Sequence, residues 1–205
     1  MSRLAAFVFF FLFSGKAVLA QADFSADIVN LSAANTFPTK IFATKDKLRF
    51  QGQDRNGRTT SVMLVDLAAG TSIVLIPQQH QYVQQTRAQI PGQGVTFFQP
   101  KDVDNACTEW QKMALTGREK CHKMGHETFN GRDTVKYEST PARGDGNAVW
   151  VDVKLHFPVK WKGPALEREL RNIVERPQGK ELFEVPAGYT KRTFEGPVTT
   201  TPSQP

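Results

Sequence analysis

The run Val149-Trp150-Val151-Asp152-Val153-Lys154-Leu155-His156-Phe157 constrains the fold of this chain more than any other stretch. Its odd positions Val149, Val151, Val153, Leu155 and Phe157 are all apolar, and after Trp150 its even positions Asp152, Lys154 and His156 are polar. Side chains along a strand alternate faces, so the run reads as one strand with a dry face and a mostly wet one. Parallel sheets are covered on both faces and read as unbroken apolar runs, so the alternation points to an antiparallel sheet. Gly144-Asp145-Gly146-Asn147 before the run and Pro158 after it read as turn and breaker. The expectation is a curved antiparallel sheet whose interior receives the Val149, Val151 and Val153 row, with Asp152, Lys154 and His156 in water.

The rest of the chain supports a mainly β fold. Phe24 to Asn30 alternates, and Thr39 to Thr44 and Leu48 to Gln51 flank a turn at Asp46-Lys47. Asn56-Gly57 and Asn130-Gly131 supply the positive φ of tight hairpins. Ser61 to Leu67, Thr71 to Ile76, Gln81 to Gln85, Thr134 to Glu138 and Leu182 to Val185 read as further strands. Strands at such short, regular spacing argue for a sandwich, a barrel or an open half-barrel. Residues 103–115 break the pattern: Val103, Ala106-Cys107, Trp110 and Met113-Ala114 have helical spacing, with Asp102 as N-cap and Gly117 beyond the end. Residues 165–175 fit a helix face or a strand face equally well.

Val62-Met63-Leu64-Val65 and Ile73-Val74-Leu75-Ile76 are apolar at consecutive positions, so both faces of the sheet are dry there. The helix at 103–115 and the Gly/Pro-rich run from Arg87 to Pro100 are the available covers. Either they close a core, or the cover is partial and an apolar ligand completes it.

Met1 to Ala20 reads as a secretory signal peptide. Arg3 precedes the apolar core from Leu4 to Phe13, and Val18-Leu19-Ala20 is a small-residue cleavage site. The apolar stretch is too short to span a bilayer. Its removal leaves 24 basic against 20 acidic residues, a formal +4 with no Lys/Arg block, which argues against nucleic acid as a partner. Residues 21–195 fit one domain, and 196–205 have the composition of a disordered tail. The protein is expected to be periplasmic or otherwise secreted, without a transmembrane anchor.

Cys107 and Cys121 are the only cysteines. In an exported chain they are expected to form a disulfide that fastens the helix to the sheet beside Trp110, closing a loop worth about 3 kcal/mol by chain entropy. A metal site built from Cys107, Cys121, His122 and His126 lacks the usual close spacing of ligand pairs. His126-Glu127 has Asn130 where a zinc protease needs its second histidine. Nucleophile elbow, phosphate loop and dinucleotide fingerprint are also missing. No catalytic residue, metal or cofactor is expected.

Five segments carry a family resemblance: Asp46 to Phe50, Leu64 to Thr71, Cys121 to Arg132, Phe157-Pro158-Val159-Lys160-Trp161, and Leu182 to Tyr189. Together they resemble a group of secreted bacterial domains of uncharacterised function, similar in fold to the periplasmic carriers that sort outer-membrane lipoproteins. The resemblance implies a curved antiparallel half-barrel with one or two lid helices on its concave side and a hydrophobic cavity between, and it tips residues 165–175 towards strand. The chain departs from the carriers by opening on a strand at Phe24 and by its cysteine-bearing insert, and no carrier arginine maps onto it. The function implied is binding of a lipid, an acyl chain or a lipoprotein. The cavity candidates are Val62, Leu64, Ile73, Leu75, Phe97, Phe98, Trp110, Val151 and Val153. The alternative is a cell-envelope interaction or stress-sensing module whose core is filled by its own side chains.

Overall fold

A computed structural model describes residues 21–32, 39–86, 98–113, 120–140, 146–164 and 166–192. Its strands are β1 (Phe24–Asn30), β2 (Thr39–Ala43), β3 (Lys47–Gln53), β4 (Thr59–Asp66), β5 (Thr71–Ile76), β6 (Gln81–Thr86), β7 (Lys120–Phe129), β8 (Arg132–Thr140), β9 (Asn147–Asp152), β10 (Phe157–Lys162), β11 (Glu167–Glu175) and β12 (Thr190–Lys191). One helix, α1 (Cys107–Met113), follows a 3-10 turn at Val103–Asn105. The strands form a single open sheet in the order β12-β6-β5-β4-β3-β2-β1-β11-β10-β9-β8-β7. Neighbours are antiparallel except β12, which lies parallel to β6. The fold is a curved half-barrel made of two meanders, β1 to β6 and β7 to β11, which meet where β1 pairs with β11.

The turns follow local chemistry. Asn130 and Gly131 both take positive φ (48° and 75°), as the two-residue β7–β8 hairpin requires. In the β4–β5 turn, Asp66 Oδ1 accepts from the Ala69 amide at 2.8 Å and Gly70 supplies φ of 64°. Asp102 caps the 3-10 turn by accepting from the Asp104 amide. Residues 167–175 are strand, as the family resemblance implied.

Four expectations are corrected. The run 149–157 is not one strand: β9 stops at Asp152, residues 153–156 turn, and β10 begins at Phe157. Asp152 makes the break, because its Oδ1 accepts from the amides of Lys154 (2.9 Å) and Leu155 (2.8 Å), and His156 takes φ of 49°. Asp152 is therefore 1% exposed rather than solvated, and its Oδ2 is bound to Arg132. Pro158 does not end a strand. It is the second residue of β10, opposite Val151 and beside a bulge, where a missing N–H is tolerated. Residues 182–185 are not a strand either, since Lys180–Phe183 form a 3-10 turn.

The main core lies on the face that receives residues 98–110. Phe24, Ile41, Leu48, Val135, Tyr137, Val151, Leu155, Phe157 and Trp161 are sealed in it. Phe157 meets Phe24 edge-on at 5.4 Å and Trp161 at 6.1 Å. Burying each such side chain contributes about 1.5–3 kcal/mol.

Candidate functional site: the inner face of the half-barrel

The lid is fastened at several points. A disulfide joins Cys107 at the start of α1 to Cys121 on β7, with Cα atoms 5.5 Å apart. Tyr137 Oη donates to the Val103 carbonyl at 2.5 Å and accepts from the Ala106 amide at 3.2 Å. Burial raises the Tyr137 pKa, the Ala106 amide opposing it. Phe98 stacks on Trp110 at 6.2 Å, and Gln99 Nε2 donates to the Thr44 carbonyl at 3.0 Å. The chain thus crosses from the β2–β3 turn to β7 over the inner face.

Register decides which side chains look inward. Phe50 pairs with Met63, Met63 with Val74, and Val74 with Val83. One row along, Ala43 pairs with Leu48, Leu48 with Val65, Val65 with Ser72, and Ser72 with Gln85. Met63, Val65 and Leu67 pack against the main core, so these two rows belong to the inner face. Leu48, Phe50, Ser72 and Val83 are buried in them, whereas Met63, Val65 and Val74 are half-buried.

The nine cavity candidates do not share one face. Val62, Leu64 and Leu75 form a separate cluster on the opposite side, with Ile73, Tyr82, Val185 and Tyr189 against it. The second dry face of the middle strands is covered there by the C-terminal segment, not by the helix. Arg49, paired with Leu64, looks the same way and donates from Nη1 to the Leu182 carbonyl at 2.9 Å. Burial lowers its pKa, Tyr189 opposing the shift. Phe98, Trp110, Val151 and Val153 do belong to the main core, with Val153 half-buried in the β9–β10 turn. Phe97 lies outside the described residues.

Two buried polar atoms near the inner rows have no hydrogen-bond partner among the described residues: Ser72 Oγ and Gln99 Oε1. Sequence reasoning passed over Ser72, Met63, Val65, Val74 and Val83. The signal that could have found them is Arg49-Phe50: in the β3–β4 hairpin the charged member of this pair marks the Leu64 side as the outer one.

Away from this surface, the ends of the C-terminal meander are tied by charge. Arg132 binds Asp152 through Nε and Glu175 through Nη2 (2.8 Å), and Lys154 also pairs with Glu175. Burial lowers the Arg132 pKa, but the bonds to Asp152 and Glu175 outweigh it and the net shift is upward. The bonds from Lys154 and Arg132 hold Glu175 below its ordinary value. His126 lies between Asp104 (3.2 Å) and Asp133 (3.4 Å), and Lys123 pairs with Asp104 at 2.6 Å. Among the described residues, no three His, Cys, Asp or Glu side chains are grouped so that they could hold a metal ion. Among the same residues, no helix is long and apolar enough to cross a membrane.

No family model and no curated protein sequence matches the chain. Among solved structures, it is similar to an uncharacterised conserved protein from Thermus thermophilus, with 7% identity over 84% of this chain and 91% of that one, and a TM-score of 0.50. That likeness shows the fold alone. Lower likenesses include a LolA superfamily protein from Nitrosomonas europaea (11% identity, 80% of this chain and 90% of that one, TM-score 0.37) and MucB (15% identity, 82% and 58%, TM-score 0.37).

Proposed function

We propose that this is an exported, non-enzymatic protein that binds an apolar ligand (a lipid, an acyl chain or a lipoprotein) on the inner face of β3 to β6, beneath the segment that carries α1. Residues 1–20 are its signal peptide, cleaved near Ala20, and residues 21–195 its single domain. The observation that carries the reading is the contrast within one apolar face. Met63, Val65 and Val74 stay half-buried on the same surface where Val135, Val151, Leu155 and Phe157 of the other meander are at 0% exposure. Apolar side chains left partly in water cost free energy, and a ligand that covers them recovers about 0.8 kcal/mol per buried methylene. The Cys107–Cys121 bridge fits an oxidising compartment outside the cytosol.

Native mass spectrometry of protein taken from its own periplasm, followed by lipid extraction, tests the reading. An apolar adduct is expected. A bare chain that also fails to take up a fluorescent fatty acid would sink it. A second reading, an envelope interaction or stress-sensing module, is favoured by one observation: Val135, Val151, Leu155 and Phe157 are at 0% exposure, so the core beneath β8 to β10 is filled by the chain's own side chains. The bare chain is the outcome that reading expects.

A further inference from the structure

We propose that Ser72 is the polar anchor of this inner surface, and that the ligand is an acyl chain whose carbonyl accepts a hydrogen bond from Ser72 Oγ. The inference rests on the binding function proposed above and adds the chemistry of the ligand's head.

Ser72 is 5% exposed, and its Oγ is buried with no hydrogen-bond partner among the described residues. Buried hydroxyls are paired as a rule, because a lone one keeps the cost of leaving water and gains nothing in return. The register directs this side chain to the inner face, between Val65 and Gln85 and next to Val74 on its own strand. A hydroxyl so placed can donate, and the two inner rows offer no charged side chain: they hold Leu48, Val65, Ser72 and Gln85, then Phe50, Met63, Val74 and Val83. Arg49, the one half-buried arginine of β3 to β6 among the described residues, faces the opposite side. The head is therefore recognised by a hydrogen bond and not by an ion pair, which suits an acyl carbonyl.

The surface is also polarised along its length. Gln99 Oε1, the other unpaired acceptor, belongs to a side chain held at Thr44, next to the residue that opens the Ala43–Leu48–Val65–Ser72 row. From Ser72 the inner face of β5 runs on through Val74 to Ile76, about 13 Å of strand, the reach of a medium-length acyl chain. The head lies at the Ser72 end and the tail runs towards Ile76.

N-phenyl-1-naphthylamine, a neutral apolar fluorophore, is titrated into the mature protein and into Ser72→Ala, and is then displaced with monolaurin and with lauric acid. The fluorophore should bind both proteins within about twofold of each other, because it needs no partner for the hydroxyl. Both competitors should weaken about five- to tenfold in the variant, the effect of one lost hydrogen bond. The ligand-free variant should melt at the same temperature or about 2–4 °C higher, since it loses an unpaired buried group. A loss confined to monolaurin assigns the site to esters, and an equal loss assigns it to the carbonyl shared by both. Competitors that displace equally from both proteins would overturn the anchor and leave the binding surface standing. So would a variant that melts lower, because its hydroxyl would then have a structural partner. Failure of the wild type to bind the fluorophore would remove the surface itself.

Discussion

On the inner face of β8 to β10 and the turn within them, Val135, Val151, Leu155 and Phe157 are at 0% exposure. On the inner face of β4 and β5, Met63, Val65 and Val74 remain half-buried. Both surfaces belong to one sheet, and both alternate with the same period. They differ in what comes back over them. The C-terminal meander folds a turn onto itself, with Leu155 driven inward by the Asp152 cap, receives Phe24 from β1, and holds the Val103 carbonyl with its own Tyr137. The β4–β5 turn sends back only Leu67, which stays half-buried against the core, and its other residues Ala68, Ala69 and Gly70 are too small to reach back. A half-barrel can thus be sealed on one side and half-covered on the other without any change of sheet type.

The contrast breaks most readily at Asp152. Asp152→Ala removes the turn cap and leaves Arg132 with one of its two carboxylates, so urea unfolding should show a loss of about 3–5 kcal/mol. Phe157→Ala should cost a similar 3–5 kcal/mol, because the sealed side cannot collapse around the cavity. Val74→Ala, on the half-buried side, should cost less than about 1 kcal/mol, since its side chain is only partly removed from water. Equal losses for the two substitutions would erase the distinction.

Cys107→Ser paired with Cys121→Ser comes next. It should lower stability by about 3 kcal/mol, and hydrogen exchange should rise first at α1 and β7 while β9 to β11 stay protected. Uniform loss of protection would mean that lid and sealed half are one unit.

The smallest effect is in pH. Bonds from Lys154 and Arg132 depress the Glu175 pKa, so this carboxylate adds stability that is complete above its unfolded value of about 4.3 and is lost as pH falls through the lower folded value. The difference in urea midpoint between wild type and Glu175→Gln should be flat above about pH 5 and shrink below it. A difference that grows on acidification would contradict the assigned ties.

The fold was legible because it depends on period and turns. Alternation, two Asn-Gly pairs and one helical pattern suffice for a mainly antiparallel β fold with a short helix; the open half-barrel, over a sandwich or a closed barrel, was what the family resemblance implied. Where strands end was less legible. The alternation of Val149 to Phe157 runs through a turn without a change of period, because Leu155 is as buried there as it would be in a strand. What ends the strand is the reach of Asp152 to two backbone amides, a contact that hydropathy does not encode. The site was legible only as far as its strands. Doubly apolar runs say that both faces are dry without saying what dries each, and the Val62–Leu64–Leu75 side is dried by Val185 and Tyr189, more than a hundred positions away. Ser72 became visible only once register placed it among inward rows.

The central claim is that β4 and β5 receive a ligand on their inner face while the other meander does not. Methyl chemical shifts of the mature protein titrated with monolaurin test it most directly. The account predicts that Met63, Val65, Val74 and Val83 move together and saturably while Val135, Val151 and Leu155 stay in place. Shifts confined to Val62, Leu64 and Leu75, or no saturable shift at all, would contradict it.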